Sequence, residues 1–441
     1  MQRLGVILGK EFYRKDIKEL LLELSDRYEV VPLVRDPQSF DNRDWANRLA
    51  GIRTIRTTDS ARRRAFRWLF RYFGYLPSSI TNYKVVTYFG LANIRNATRR
   101  KLAEKVLLPM TIALPKFLSF DQYLSYIYQS DSTDLEGIDH YLFFSQITEV
   151  ELLARLLHLG KSVTVYLYSW DHAAKLKNLP RQRVKYLVWC EEVKKDLAEL
   201  NGISMEAIQV VGASQFAEIF NYLQQHPTQP KKDPAYIYFG FSTMYAPLVR
   251  QEMAFVKKLS SLVEELKLPF VVRVRTYPIL ENQSIYAPLA DFLHVEVEET
   301  NRLQSLTTAS LLYEKYDAMA EAAAFFHFGT TMGVECCFFE TPSFIIDYHP
   351  TPPTSTPKGW SLINFVHQYQ NEKYLLSPPY PNVVKSDEEL KQVLIQIAAG
   401  HSAQYMPYNK YVASLFPLVS ISDIASNIKE VVTNARLTLP T

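Results

Sequence analysis

Residues 325–347 read FFHFGTTMGVECCFFETPSFIID and are the most informative stretch of the chain. An apolar strand runs into a turn of small residues, a short apolar helix follows, and a second apolar strand comes after it. Such β-α-β units build parallel sheets with helices on both faces. At the turn, Gly329, Thr330, Thr331 and Gly333 let backbone N–H groups, hydroxyls and the helix dipole converge on a phosphate. The stretch predicts an α/β domain with a phosphate site, and a plain tight turn is the alternative.

The same alternation of short apolar runs and helical stretches extends through most of the chain. The predicted strands are residues 4–8, 30–34, 141–144, 162–168, 186–189, 209–211, 235–239, 269–274, 292–297, 311–316, 324–328 and 342–347. The alternation breaks at residues 224–233, QQHPTQPKKD, which carry no periodicity and predict a linker. We therefore expect an α/β fold class with two Rossmann-like domains facing a cleft, residues 1–228 and 229–441, and a last helix that packs back on the first domain.

Composition excludes several classes of protein. With 441 residues, 47% hydrophobic and 22% charged, the chain is too apolar to be disordered and long enough for two cores. Cys336 and Cys337 are adjacent and only Cys190 accompanies them, so a disulfide scaffold is excluded and a reducing compartment is expected. The first residues resemble a strand rather than a signal peptide, and no apolar window is long enough to span a membrane. We expect a cytoplasmic protein.

A second stretch, residues 166–179, reads YLYSWDHAAKLKNL. Its β-prone run ends at Trp170, Asp171 and His172, and polar residues just beyond the carboxyl end of a parallel strand face the ligand crevice. An Asp beside a His offers a general base, and the Trp offers a face for stacking on a sugar. The alternative is an Asp that caps a helix, with the Trp in the core. We predict Asp171 and His172 as the catalytic residues.

The run SWDHAAKLKNLP…YLVWCEEVKKDLAELNGISMEAIQVVGASQFAEIF, together with FGTTMGVECCFFETPSFIID, resembles bacterial surface-polysaccharide glycosyltransferases of GT-B architecture. Their superfamily also contains glycerophosphotransferases and UDP-N-acetylglucosamine 2-epimerases. This chain has Cys190 where the family pattern has Asn, Ala217 where it has Asp, and Glu340 where a small residue is common. The resemblance implies a glycosyltransferase that moves a sugar from a nucleotide-activated donor to a surface polysaccharide or a lipid-linked glycan.

The resemblance also implies a donor site in the second domain. Glu335 matches the carboxylate of the family's donor element and would hold a hydroxyl of the donor. Ser242 and Thr243 would lie in the loop after the first strand of that domain, close to the donor phosphate or sugar. Arg273 and Arg275 alternate on a predicted strand, so both can point to one face and pair with phosphates, or lie solvated on a surface strand.

The sequence holds no cluster of residues at metal-ligand spacing, so we expect a metal-independent reaction with no cofactor besides the nucleotide-sugar substrate. Two other classes share the fold. A nucleotide-sugar epimerase would use the same phosphate site, and a non-catalytic polysaccharide-assembly protein would keep the fold without the chemistry.

The net charge of the chain is only +3, which argues against a general nucleic-acid binder, but the charge is unevenly spread. From Arg53 to Lys105 there are 13 basic and 2 acidic residues, and aromatic residues are interleaved with them. This composition is typical of a segment that rests on an anionic membrane surface. The alternatives are an RNA-binding patch and a solvated helical face. We predict a peripheral protein at the inner face of the plasma membrane, with no nucleic acid as partner. The predicted contact residues are Arg63, Arg64, Arg67, Trp68 and Arg71.

Overall fold

The computed structural model describes residues 1–9, 14–37, 49–74, 97–107, 113–144, 149–175, 179–226, 235–243, 246–277, 283–298, 308–350, 362–363, 370–377 and 379–434. The chain divides into two compact units. Unit 1 is Met1–Ala217 with Leu418–Thr441, and unit 2 is Glu218–Pro417. Most of the predicted linker lies outside the described residues.

Unit 1 contains a parallel sheet of seven strands among the described residues, in the order β3-β2-β1-β4-β5-β6-β7. The strands are β1 (Arg3–Leu8), β2 (Glu29–Val34), β3 (Arg53–Thr54), β4 (His140–Phe144), β5 (Ser162–Tyr166), β6 (Val184–Val188) and β7 (Ile208–Val210). The central strands are buried along their length, which is why they read as continuous apolar runs in the sequence.

Among the helices of unit 1, Lys15–Ser25 and Val150–His158 show this pattern clearly, with an apolar stripe at helical spacing turned inward. The helices are α1 (Lys15–Ser25), α2 (Ala61–Phe73), α3 (Ala97–Leu102), α4 (Phe120–Ile127), α5 (Val150–His158), α6 (His172–Lys175), α7 (Glu191–Asn201) and α8 (Ser214–Gln225), which belongs to unit 2 from Glu218 onward. A π-helical segment, Ala103–Leu107, follows α3, and 3-10 turns occupy Tyr128–Ser130 and Met205–Ala207.

Unit 2 contains a parallel sheet of six strands among the described residues, in the order β10-β9-β8-β11-β12-β13. The strands are β8 (Tyr236–Gly240), β9 (Val271–Arg275), β10 (Val295–Val297), β11 (Phe325–His327), β12 (Ser343–Ile346) and β13 (Val383–Val384). The order reverses between β8 and β11, and in unit 1 it reverses between β1 and β4. In open α/β sheets, ligands bind beyond the carboxyl ends of the strands at such a switch point.

The helices of unit 2 follow the same alternation. They are α9 (Ala246–Glu265), α10 (Gln283–Tyr286), α11 (Ala309–Glu321), α12 (Thr331–Cys336), α13 (Gln370–Leu376), α14 (Asp387–Ala398) and α15 (Met406–Leu415), with 3-10 turns at Ala287–Asp291 and Ser402–Tyr405. The predicted strand at residues 311–316 is wrong, because this stretch belongs to α11. Its buried residues Leu312, Tyr316 and Met319 recur at the spacing of a helix, and a short apolar run hides that period.

The last helix, α16 (Ile421–Asn434), packs against α1 in unit 1. Arg27 Nη2 donates a hydrogen bond of 2.9 Å to Ser426 Oγ, and Asn427 Nδ2 donates one of 3.5 Å to the carbonyl oxygen of Val211. Gly212, which follows, has φ +98°, and a Cβ at this position would overlap Val419 Cγ2. The turn after β7 therefore depends on a glycine both for its backbone conformation and for close contact with the C-terminal segment.

We expect Gly212→Ala to destabilise unit 1 more than Gly160→Ala. Both glycines have positive φ, +98° and +64°, so each variant carries the left-handed penalty of roughly 1–2 kcal/mol. Only Gly212→Ala adds overpacking, which typically costs about 1–3 kcal/mol, because Gly160 has no atom within 4 Å of the added Cβ. Urea unfolding checks the difference. Val419→Ala in the Gly212→Ala background should recover part of the loss, and equal costs at both glycines would contradict the steric explanation.

Candidate functional site

The switch point of unit 2 brings together two loops that the sequence analysis selected. The loop after β8 carries Ser242 and Thr243, and the loop after β11 carries Gly329 and Thr330 and enters α12. A Cβ on Gly240, at the end of β8, would lie 2.7 Å from the Phe325 ring and 3.4 Å from Met332 Cε. The end of β8 therefore lies directly against the start of α12, and the two loops border one crevice at the carboxyl edge of the sheet.

His327 supports the loop after β11 from inside the protein. The ring is buried, and its Nδ1 accepts hydrogen bonds from the backbone N–H groups of Gly329 at 3.0 Å and Thr330 at 3.4 Å. Burial lowers the pKa of His327 to about 3, so the imidazole is neutral and its Nδ1 can accept. A Cβ on Gly333 would overlap the same ring. Gly333 is thus required by packing on His327.

This arrangement changes the predicted phosphate contacts. The N–H groups of Gly329 and Thr330 point to His327 instead of a ligand. Thr330 is the N-cap of α12, and its hydroxyl makes no capping hydrogen bond. The N–H groups of Thr331 and Met332, at the first two helical positions, have no acceptor among the described residues. Two hydroxyls and two N–H groups at the start of α12 are therefore left for a ligand.

Glu252, on α9, supports the loop after β8. Its Oε1 accepts hydrogen bonds from Ser242 N at 2.7 Å and from Ser242 Oγ at 2.6 Å. The carboxyl group is fully buried, and burial raises the pKa of Glu252 to about 8. The hydroxyl of Ser242 is used inside the protein, whereas Thr243 is half-buried on the same loop.

Arg273 and Arg275 have carboxylate partners on the same sheet. Arg275 Nη1 lies 2.8 Å from Glu298 Oε2, which also accepts a hydrogen bond of 3.0 Å from the Tyr238 hydroxyl. Arg273 lies 3.6 Å from a Glu296 oxygen, and its guanidinium stacks at 3.8 Å from the centroid of the Tyr236 ring. These contacts form a ladder across β8, β9 and β10, in which both arginines neutralise neighbouring carboxylates.

Glu335, the predicted donor carboxylate, forms an ion pair with Lys315 of α11. The distance from Lys315 Nζ to Glu335 Oε2 is 2.6 Å, and both side chains are only 8% exposed. The other carboxylate oxygen, Oε1, makes no hydrogen bond to any described residue. Glu335 is four residues after Thr331, so both side chains lie on one face of α12 with Cβ atoms about 5–6 Å apart.

In unit 1 the predicted catalytic segment follows β5. Trp170 is buried in the core, as the alternative interpretation of this stretch has it, and Asp171 is half-buried in the turn before α6. The side chain of His172 lies outside the described residues. Tyr168, three residues before Asp171, is held by Asp16. The Asp16 carboxylate accepts hydrogen bonds from the Tyr168 hydroxyl at 3.0 Å and from Ser214 Oγ at 2.8 Å. This buried network fixes the strand end that leads to Asp171.

Cys190 departs from the family pattern at a helix end. It is the N-cap residue of α7, and its side chain makes no capping hydrogen bond. An Asn at this position would accept from the first turn of the helix, since Asn is among the best N-cap residues. Ala217 is buried within α8. The difference from the family pattern at Cys190 thus concerns the N-terminal cap of α7.

Helix α2 lies within the basic segment and is anchored from one side. Arg63 is 12% exposed and lies 2.5 Å from Glu151 of α5, and Arg67 lies 3.0 Å from the same carboxylate. Phe66 and Phe70 stack on two tyrosines of α4, Tyr126 and Tyr123, each with 4.6 Å between ring centroids. The Arg63 side chain, a predicted membrane contact, thus pairs with Glu151 and holds the helix to the rest of unit 1.

The other side of α2 faces outward. Arg64 is 64% exposed, Arg67 58% and Trp68 56%. Phe73 lies between Trp68 and Phe117, with ring centroids 6.3 Å and 5.2 Å away, and Phe117 is 59% exposed. We call Arg64, Arg67, Trp68 and Phe117 the outer α2 surface. The side chain of Arg71 lies outside the described residues.

Two features are absent from the described residues. No group of three or more His, Cys, Asp or Glu side chains within those ranges is placed to hold a metal ion. Within the same ranges no helix is both long enough and apolar enough to cross a bilayer.

Glu252, Lys315 and His327 are not among the site residues predicted from the sequence. For Glu252 and Lys315, the position in the sequence does indicate a special role. Glu252 lies on the apolar stripe of α9 between Val249 and Phe255, and Lys315 lies on the apolar stripe of α11. A charged residue on such a stripe requires a partner, because burying an unpaired charge is costly.

The raised pKa of Glu252 predicts a pH dependence of stability. From about pH 4.5 to 8 the native state holds a proton that the unfolded state releases, so stability falls as pH rises, by up to about 1.4 kcal/mol per pH unit. Glu252→Gln keeps the acceptor for Ser242 and cannot ionise. We expect this variant to lose that part of the slope in denaturant unfolding between pH 5 and 8. An unchanged slope would show that Glu252 does not carry it.

No family model matches the chain, and no curated protein sequence matches it. Solved structures match it over nearly its whole length at low sequence identity. The UDP complex of MnaA from S. aureus has a TM-score of 0.52 and 10% identity, and the match covers 100% of this chain and 99% of that one. A protein from Listeria monocytogenes assigned as a UDP-N-acetylglucosamine 2-epimerase has a TM-score of 0.51 and 10% identity over 99% of this chain and 97% of the other.

The wall teichoic acid polymerase TagF, soaked with CDPG, has a TM-score of 0.50 and 10% identity, and the match covers 100% of this chain and 90% of TagF. These neighbours come from the superfamily that the sequence resembles, and both sheets have the parallel α/β topology that the sequence predicts. The chain therefore has the GT-B fold, with two Rossmann-like domains.

Proposed function

We propose that the protein is a glycosyltransferase that moves a sugar from a nucleotide-activated donor to a surface polysaccharide or a lipid-linked glycan. The start of α12 at the switch point of unit 2 is the observation that carries the proposal. There, the hydroxyls of Thr330 and Thr331 and the N–H groups of Thr331 and Met332 have no hydrogen-bond partner among the described residues. Backbone N–H groups and hydroxyls at a helix start suit the phosphates of a nucleotide.

In the proposed mechanism, Glu335 Oε1 accepts a hydrogen bond from a hydroxyl of the donor. Asp171 or His172 takes the proton from the acceptor hydroxyl as its oxygen attacks the anomeric carbon, and the nucleotide diphosphate leaves. The N–H groups and hydroxyls at the start of α12 stabilise the charge of the leaving phosphate, so the reaction needs no metal ion. Arg273 and Arg275 are not assigned to phosphate, because each already pairs with a carboxylate.

A panel of UDP, GDP, CMP, TDP and ADP tests the donor site by thermal shift. At about 100 times Kd, a ligand stabilises the native state by about 2.7 kcal/mol, which is several degrees in melting temperature. We expect one nucleotide to do so. Thr331→Asp should abolish its effect, because the carboxylate repels phosphate while the helix dipole tolerates it at the first helical position.

Thr98→Asp is the matched control, since it places the same change in the first turn of α3, another six-residue helix. It should keep the nucleotide shift. Asp171→Asn should bind the nucleotide normally but fail to turn over the corresponding nucleotide-sugar. If no nucleotide raises the melting temperature of the native protein, the proposed donor site is wrong. If Asp171→Asn turns over the nucleotide-sugar normally, Asp171 is not the base and His172 is the remaining candidate. A protein that binds the nucleotide and never transfers sugar would be an epimerase or an assembly protein instead.

We also propose that the outer α2 surface rests on an anionic membrane that presents the acceptor. The exposed side chains of Arg64 and Arg67 lie four residues and one residue before Trp68 on α2, and Phe117 extends the apolar part of the surface. The anchoring of α2 through Arg63 and Glu151 supports this proposal, because it fixes which side of the helix faces outward. Indole rings prefer the boundary between lipid headgroups and water.

Sedimentation with phosphatidylglycerol-containing vesicles tests the membrane contact. A basic residue near an anionic surface contributes about 1 kcal/mol, so Arg64→Glu should weaken binding about tenfold or more, and Trp68→Ala should weaken it further. Lys257→Glu makes the same charge change on α9 and should have little effect. Raised salt should release the native protein. Equal binding to pure phosphatidylcholine, or tighter binding to single-stranded RNA, would contradict the proposal.

A further inference from the structure

The ion pair between Lys315 and Glu335 lies just inside the candidate donor site. Helix α12 follows β11 and α11 precedes it, so both helices begin at the carboxyl edge of the sheet. Side chains on a helix tilt toward its N-terminus. Glu335 and Lys315 therefore both extend toward the edge that carries Thr331.

The two oxygens of Glu335 have different surroundings. Oε2 lies 2.6 Å from Lys315 Nζ, whereas Oε1 makes no hydrogen bond to any described residue. The ammonium group also lies 5.1 Å from the centroid of the Tyr316 ring, within the range of a cation–π contact. One oxygen is thus fixed by the protein and the other is available to a ligand.

A buried ion pair is weak evidence for stability. Removing two charges from water is costly, and well-packed apolar residues often stabilise a fold as well or better. The ammonium group has a clear effect on the carboxylate, however. It fixes the position of Oε2 in a site that is only 8% exposed, and hydrogen bonds to a carboxylate are stronger than those between neutral groups. These properties suit a ligand that presents neighbouring hydroxyls.

We propose that Lys315 is a positioning residue of the donor site, which fixes the orientation of Glu335 so that Oε1 binds a vicinal diol of the nucleotide-sugar. The inference rests on the proposed function. The diol belongs either to the ribose or to the donor sugar, and both present the same chemistry. Lys315 acts only through Glu335 and does not touch the ligand.

The experiment compares nucleotide affinities by calorimetry, using the nucleotide that stabilises the native protein. One arm measures the ratio of Kd values for the 2′-deoxynucleotide and the ribonucleotide, and a second arm compares the nucleotide with its sugar conjugate. Hydrogen bonds to a charged group give about tenfold or more, so one of these ratios should be at least that large in the native protein. Lys315→Met should reduce that ratio to near 1, and Lys315→Arg should restore most of it.

Folding is controlled separately. Lys315→Met combined with Glu335→Leu replaces the pair by apolar side chains, and it should melt at or above the native temperature. Lys257→Met, an exposed lysine of α9, should change neither ratio. If Lys315→Met weakens all ligands equally, or leaves both ratios unchanged, Lys315 is structural and the inference fails while the donor site stands. If no nucleotide binds the native protein, the donor site fails and the inference fails with it.

Discussion

The hydrogen bonds from the Gly329 and Thr330 N–H groups to the neutral imidazole of His327 are the interaction on which the candidate donor site depends. They hold the chain in the turn after β11, where Gly329 has φ +95°, and the ring fills the space beside Gly333. Leaving a buried N–H without an acceptor costs about 1–3 kcal/mol, so the ring and the turn stabilise each other. The shape of the site is therefore set from inside the protein before any ligand arrives.

The other loops at this edge are held in the same way. Glu252 accepts a hydrogen bond from Ser242 in the loop after β8, and Glu298 forms an ion pair with Arg275. Polar groups that all look like ligand contacts in the sequence thus divide into two sets. One set faces inward and fixes the backbone, and the other, which includes the Thr331 hydroxyl and Glu335 Oε1, has no partner among the described residues. Such support from a second layer of contacts is what holds a binding geometry in place.

Apolar periodicity predicted the two parallel sheets because buried strands of a parallel sheet must be apolar on both faces. It failed at residues 311–316, where the helical period extends beyond the short run that resembles a strand. It also could not assign Arg63, since Glu151 lies 88 residues away and only the fold brings them together. The position of a residue at a strand end is readable from the sequence, but the partner of its side chain is set by tertiary contacts.

Because the inward-facing groups serve both the fold and the site, removing them does not separate the two roles. Truncating Glu335 to Ala would leave the Lys315 ammonium buried without its carboxylate, and breaking a buried pair in this way typically costs about 3–5 kcal/mol. Lost ligand binding in that variant would follow from local unfolding as readily as from a lost contact. Substitutions at the outward-facing groups, or paired apolar replacements of both charges, leave the fold intact and are the ones that report on the ligand.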